Sequence, residues 1–250
     1  MTLGYLGAVF GRLGLLGNSQ QGWAPSELPN LKAWYRADSG VTVSGGLVSA
    51  WADRSGNGLT LTESIDANKP LYDATIFNGS PGIVFNGNQK ITTGTNAFTG
   101  LNANNKHSWF FLIKFNSSFF PDYSRIAAFL ASGASSDYSD ATSFVPALVR
   151  NLSPLRIDTY QGGNPYAEIA NVSMPYVRVA VIYDGTNITT YLNNVQVAQS
   201  AKSFSIASAG TLRLGGSWEP AGDYIAATVA EVIVTDNAEN SSVRGQIDNY

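Results

Sequence analysis

The sequence has no cysteine, one histidine and few charges. Without cysteine there are no thiol nucleophiles, thiolate metal sites or disulfide frameworks. The single histidine, His107, excludes multi-histidine metal centres and leaves little scope for histidine-based catalysis. Charged residues fill 13% of the 250 positions, against roughly 25% in an ordinary soluble domain. Lys and Arg total 15 against 18 Asp and Glu, with no basic run, so the electrostatic footprint of a nucleic-acid binder is missing. A membrane span needs about 20 apolar residues, and no stretch that long and apolar occurs. Disorder is excluded too, because 44% of residues are hydrophobic and the net charge is only −3. A chain of this length can bury a large core without covalent or metal staples. What remains is glycine, asparagine, serine, threonine and aromatic residues, so surface polarity comes largely from uncharged groups.

Residues 1–22 differ from the rest. Gly4, Gly7, Gly11, Gly14 and Gly17 recur every three or four positions, as do Leu3, Leu6, Phe10, Leu13 and Leu16. The only basic residue, Arg12, sits inside the apolar stretch, which is not the order of a secretory signal. Interior glycines cost a helix about 1 kcal/mol each relative to alanine, so a free-standing helix is not expected. An exposed run of this kind is a sticky patch. It covers either its own domain or a neighbouring subunit, and docking on a partner is the favoured expectation, through Leu3, Tyr5, Leu6, Phe10, Leu13 and Leu16. The stretch from Trp23 to Asn30, with two prolines, reads as a linker. The division is therefore an arm and linker over 1–30 and a body over 31–250.

In the body the dominant period is two. Trp109, Phe111, Ile113 and Phe115 share one face, and Phe110, Leu112 and Lys114 the other. Val177–Tyr183 alternates in the same way. Such runs are strands. Asp184-Gly185 and Asn193-Asn194 are turn signals between strands. Further strands are expected over 31–37, 47–53, 82–85, 125–130, 144–149, 155–160, 188–192, 195–198, 211–214 and 228–235. Short, evenly spaced strands indicate an antiparallel sandwich or barrel. One helix is expected over 241–250, capped by Asn240 or Ser241, with Val243 and Ile247 on one face.

Several segments together resemble the laminin-G/concanavalin-A-like jelly roll in the form common in bacterial and phage proteins. They are Leu31-Lys32-Ala33-Trp34-Tyr35-Arg36-Ala37-Asp38-Ser39-Gly40-Val41, the W-x-D-x-S-G-N-G run Trp51–Gly58, and Pro81-Gly82-Ile83-Val84-Phe85-Asn86-Gly87. The hairpin pair Tyr183–Thr186 and Tyr191–Val195, the closing segments Leu212–Gly216 and Ala230–Asp236, and the terminal Ile247–Tyr250 follow in the matching order. The likeness implies an all-β antiparallel jelly-roll sandwich with an N-terminal Gly-rich apolar arm and a short C-terminal helix. That fold hosts lectins, adhesion domains, glucanases and virion surface domains, and does not choose among them. The arm resembles the starts of small structural proteins of tailed phages.

The glucanases of this fold place acidic residues on one face of a strand. Here Glu231 and Asp236 are five apart, hence on opposite faces, and nothing between them is acidic. Glu231 reads instead as a buried or half-buried carboxylate held by a hydrogen bond or an arginine. His107 follows Asn-Asn-Lys in what reads as a loop, with no nucleophile-elbow motif nearby. The expectation is a non-enzyme. Asp53 and Asn57 flank Ser55-Gly56 and offer oxygen ligands of the type calcium takes, but the same pattern builds Asx turns. No cofactor other than such a calcium ion is expected. A glycan or partner surface is expected on two loops, with Trp218, Glu219, Asp223 and Tyr224 on one and Tyr123 and Tyr138 on the other. The opposing expectation is that these aromatics plug the ends of the sandwich.

The leading expectation is a structural virion protein of a tailed phage, as capsid decoration or a tail or fibre component. It would be joined to other virion proteins through its arm, form a homo-oligomer and have a cell-surface glycan as ligand. No nucleic acid and no membrane insertion are expected. The alternatives are a non-catalytic carbohydrate-binding or adhesion module of a bacterial surface protein, and a glycosidase with unrecognised acids.

Overall fold

Two-residue alternation gives each strand an inner and an outer face. The computed structural model describes residues 22–101, 105–115, 123–137, 139–150, 156–162, 164–169, 176–203, 206–218 and 224–250. In chain order the strands are β1 (Leu31–Arg36), β2 (Val41–Ser44), β3 (Leu47–Trp51), β4 (Leu61–Thr62), β5 (Leu71–Phe77) and β6 (Ser80–Asn86). Next come β7 (Ile91–Thr92), β8 (Phe98–Thr99), β9 (His107–Phe115), β10 (Ser124–Ala131), β11 (Phe144–Arg150) and β12 (Arg156–Gln161). The series ends with β13 (Asn164–Ile169), β14 (Tyr176–Tyr183), β15 (Asn187–Leu192), β16 (Val195–Ala201), β17 (Ala209–Leu214) and β18 (Ala226–Thr235). A helix, α1 (Ser241–Asn249), follows. The described chain is all-β apart from this helix and two short 3-10 turns.

The strands pair antiparallel in two runs. The first runs β5, β6, β18, β9, β14, β15, β16. The ten-residue β18 takes β6 along its first half and β1 along its second. The second runs β2, β3, β4, β7, β17, β10, β11, β12, β13, with β8 also on β17. A single pair, Leu47 with Leu71, links the two and makes the hydrogen bonding continuous.

The runs face each other through aromatic side chains. Trp109 of β9 stacks on Phe98 of β8 at 6.3 Å between ring centroids and lies 6.1 Å from Phe144 of β11. Phe111, Ile113, Val229, Val232 and Val234 from the first run join Leu61, Ile91, Leu212 and Leu214 from the second in one buried cluster. The expected alternation of β9 is thus observed, but its other face is also covered. Phe110, Ile233, Ala180 and Trp34 form a second cluster with Leu28 and with Ile247 of α1.

Local chemistry sets the ends of the elements. Asn240 caps α1, its Oδ1 accepting from the backbone N–H groups of Ser242 and Val243, and Val243 and Ile247 face the sheet. Asn193 and Asn194 both have positive φ, 47° and 65°, the pattern of a two-residue turn whose twist suits a hairpin. The stretch expected to be a linker is not free. Pro25 opens a 3-10 turn over Pro25–Glu27, and Trp23 packs edge-on against Tyr250 at 5.8 Å. Proline interrupts strands and helices, yet its fixed φ suits the first position of such a turn. Residues 1–21, with all the arm candidates Leu3, Tyr5, Leu6, Phe10, Leu13 and Leu16, lie outside the described residues.

Candidate functional site

The outer face of the second run carries an open groove of about 630 Å³. Its floor is a cross-strand row. Thr62 of β4 lies opposite Thr92 of β7, and Thr92 lies opposite Arg213 of β17. Their chain neighbours Leu61, Ile91, Leu212 and Leu214 point into the core, so alternation places the polar row outside. Threonine suits this position, because its β-branched body favours a strand while its hydroxyl stays available. Ser49, Thr93, Thr95 and Thr211 widen the hydroxyl lining. One wall is the segment carrying Glu63, Ser64, Ile65, Asn68 and Lys69, and Lys90 also lines the groove. Ile65 is 58% exposed.

Trp218 closes the other side. Its ring packs against Ala128 and Val145, and the Arg213 guanidinium carbon lies 3.5 Å from its centroid. Arg213 Nη1 donates to the Ser217 carbonyl. Burial lowers the Arg213 pKa, opposed by the nearby Tyr224, Asp137 and Glu63. Beneath lies a buried ion pair. Arg125 Nε is 3.3 Å from Asp137 Oδ2, and Asp137 Oδ1 accepts from the Trp218 N–H at 3.4 Å. A paired internal charge of this kind fixes geometry more than it adds stability, and here it fixes where the Trp218 backbone sits. Tyr224 is held from behind. A Cβ at Gly216 would sit 2.5 Å from the Tyr224 ring, so glycine there permits the close approach.

The expected site residues divide accordingly. Trp218 lines the groove. Tyr123 packs with it on the Ala128–Val145 cluster rather than in the groove, and Tyr224 bridges Arg125 through its backbone. Neither is among the described residues that line the groove. Glu219, Asp223 and Tyr138 lie outside the described residues. Thr62, Thr92, Thr211 and Arg213 escaped the sequence reading, which looked for binding groups on loops. The available signal was the repeated pairing of a core residue with an outward polar one, Leu61-Thr62, Ile91-Thr92 and Leu212-Arg213.

The possible calcium ligands are committed elsewhere. Asp53 Oδ1 accepts from the N–H groups of Trp34 and Ser55, and Oδ2 accepts from Ser55 Oγ and the Leu59 N–H. Asn57 Nδ2 donates to the carbonyls of Leu31 and Lys32. Donors converging on a carboxylate leave no lone pairs for a cation, so these residues build the turn that ties the loop to β1. Among the described residues there is no cluster of three His, Asp or Glu side chains suited to a metal ion.

His107 is not in a loop. It is the first residue of β9 and fully buried among Phe144, Tyr183 and Trp109. Trp109 Nε1 donates to its Nδ1 at 3.1 Å, and burial lowers its pKa to about 3. The aromatic cage was invisible because its members are distant in sequence. Glu231 follows its expected reading as a buried, hydrogen-bonded carboxylate: Trp34 Nε1 donates to Oε1 at 2.9 Å. Burial raises its pKa to about 7, against the opposing pull of that hydrogen bond, Arg178 and Arg36. It borders a cavity of about 20 Å³ beneath α1, room for one water. Among the described residues that line the groove, Glu63 alone carries a carboxylate.

No protein-family model matches the chain, and no curated protein matches it in sequence. Solved structures do resemble it. A Trypanosoma rangeli sialidase aligns with a TM-score of 0.59 at 12% identity, over 89% of this chain and 33% of that one. A GH54 α-L-arabinofuranosidase aligns at 0.59 and 16% identity, over 90% of this chain and 59% of that one. Domain 4 of AbnA, a GH43 extracellular arabinanase from Geobacillus stearothermophilus, in complex with arabinotriose, aligns at 0.57 and 12% identity, over 88% of this chain and 98% of that one. The chain thus spans a third of the sialidase and little more than half of the arabinofuranosidase. At these identities the likeness is one of fold, an antiparallel all-β architecture shared with parts of carbohydrate-active proteins.

Proposed function

We propose that the chain is a non-catalytic carbohydrate-binding module, a concanavalin-A-like jelly roll in fold, taking an oligosaccharide in the groove over β4, β7 and β17. The observation that carries this reading is the row Thr62–Thr92–Arg213, outward on three adjacent strands and closed by Trp218. Hydroxyl and guanidinium groups on the floor match the hydroxyls of a sugar, and the Trp218 ring under Arg213 walls one side of the recess. Glycoside cleavage with retention needs two carboxyl groups about 5–5.5 Å apart, and among the described residues the groove is lined by one carboxylate, Glu63, which favours binding without turnover. The AbnA domain is in complex with arabinotriose and is matched over 98% of its length, which supports a binding role for a domain of this fold. A glycan array with the wild-type chain and Thr62→Tyr tests the reading. Thr62 is exposed, so tyrosine there fills the groove without touching the core. Saturable binding lost in the variant is the expected result. Binding equal in both, or release of reducing ends from any bound glycan, refutes it.

A second reading concerns where the module is carried, and the apolar, Gly-rich run from Leu3 to Leu16 favours it. In this reading the arm joins the module to the proteins of a tailed-phage particle. Deleting residues 1–22 should leave a folded module that no longer enters its assembly. Normal incorporation of the truncated chain removes this reading and leaves the groove proposal standing.

A further inference from the structure

We infer that the groove selects anionic oligosaccharides, those carrying carboxylate or sulfate groups, over their neutral counterparts; this rests on the saccharide-binding reading above. The argument is one of charge placement. The chain as a whole is acidic, with a net charge of −3. Among the described residues the groove has the opposite sign, with Lys69, Lys90 and Arg213 lining it against Glu63. Lys69 is partly neutralised by Asp66, 2.5 Å away. Lys90 and Arg213 have no ion-pair partner among the described residues. A protein that needed these cations only for solubility would leave them on open surface, where water solvates them. Here they border a recess lined for the most part by neutral hydroxyl groups.

Arg213 is the more specific of the two. Its guanidinium carbon sits 3.5 Å over the Trp218 ring and Nη1 is tethered to the Ser217 carbonyl. Stacking removes rotamer freedom and fixes the plane of the donors. An arginine so held meets a planar or tetrahedral oxyanion with little further ordering. Its Nε is shut off from solvent and makes no hydrogen bond among the described residues, and Nη1 is engaged by Ser217, so contact with an anion falls to the remaining nitrogen, Nη2. Thr92, directly opposite Arg213 in the register, places a hydroxyl beside the same position. Lys90, two residues earlier in the chain, supplies a second positive charge bordering the same recess.

The test is an array of uronate-bearing and sulfated glycans, each printed beside its carboxyl-reduced or desulfated partner. It is followed by calorimetry of the best pair at 50 and 300 mM salt. The full chain is compared with Lys90→Glu and with Lys106→Glu, an exposed site outside the groove that makes the same change in net charge. The expected result is preference for the acidic member of each pair and affinity falling with salt. Lys90→Glu should lose tenfold or more, and Lys106→Glu less than twofold. Uronate and sulfate arms identify which anion is taken. Neutral members bound as well as acidic ones, with binding lost in Thr62→Tyr, overturn the charge inference and leave the saccharide site intact. Acidic glycans bound equally by all three proteins also overturn it, since the charge then acts elsewhere. No binding to any glycan overturns both.

Discussion

Replacing Glu231 by glutamine is expected to change how stability depends on pH while leaving the fold in place. The side chain lies buried between the outer face of β18 and the Trp34 indole, close to Arg36 of β1 and Arg178 of β14. Asp38 adds a weaker opposing charge, while Arg244 and Asp248 of α1 line the same cavity. Burial raises the carboxyl pKa from 4.5 to about 7. The folded protein therefore holds this proton more tightly than the unfolded chain. Its stabilising effect is complete below pH 4.5 and is lost as pH rises through about 7. That gap corresponds to about 3 kcal/mol, at roughly 1.4 kcal/mol per pKa unit. His107 has the opposite sign. Its pKa falls from 6.5 to about 3, so the unfolded chain binds that proton first and stability is lost as pH falls below 6.5. Between pH 4.5 and 6.5 the two slopes oppose each other, and the wild-type curve is nearly flat as far as these groups determine it. Glutamine keeps an oxygen for the Trp34 N–H but does not ionise. Urea unfolding followed by tryptophan fluorescence, at pH 4.5, 5.5, 6.5 and 7.5, should show the variant gaining on wild type by about 3 kcal/mol across that range. Its own curve should fall towards acid. Glu239 and Asp248, whose pKa values burial also raises, are present in both proteins and cancel in the difference. Parallel curves for the two proteins would refute the argument.

Other outcomes are equally specific. Asp53→Ala removes the acceptor of four hydrogen bonds and should cost about 2–4 kcal/mol in chemical denaturation, while millimolar calcium should leave the wild-type Tm unchanged. Asn240→Ala leaves two helix N–H groups of α1 uncapped and should cost about 1 kcal/mol. The loss should appear as faster amide exchange in α1, with β9 unaffected. Gly216→Ala brings a methyl to 2.5 Å from the Tyr224 ring, an overpacking cost of about 1–3 kcal/mol. A Tm equal to wild type would show that Tyr224 has room to move.

Legibility in the sequence followed the strength of local signals. β9 and β14 were readable because alternating large apolar residues leave few other options, and α1 because a capping asparagine precedes two apolar positions four apart. β5 was missed. Its sequence Leu-Tyr-Asp-Ala-Thr-Ile-Phe lacks clean alternation, and its pairing with β6 slips between Asp73 and Phe77. β4, β7 and β8 are two residues each, too short to show a period. Of these, β4 and β7 carry much of the groove floor, so what hid them hid the site. Thr62, Thr92 and Arg213 become neighbours only through register, which the sequence does not display. Trp218 was found because an aromatic between Gly-Gly and Pro stands out locally. Its partner Arg213, an ordinary strand residue by sequence, did not.

The contact between Trp23 and Tyr250 has a consequence for presentation. It brings both ends of the described chain to the outer face of the first run, whereas the groove opens from the outer face of the second. A tether leaving at either end therefore starts on the back of the module. A fusion partner joined at Tyr250 would not need to reach around the body to the recess. Probes or surface linkers attached at that end would leave the recess open to solvent.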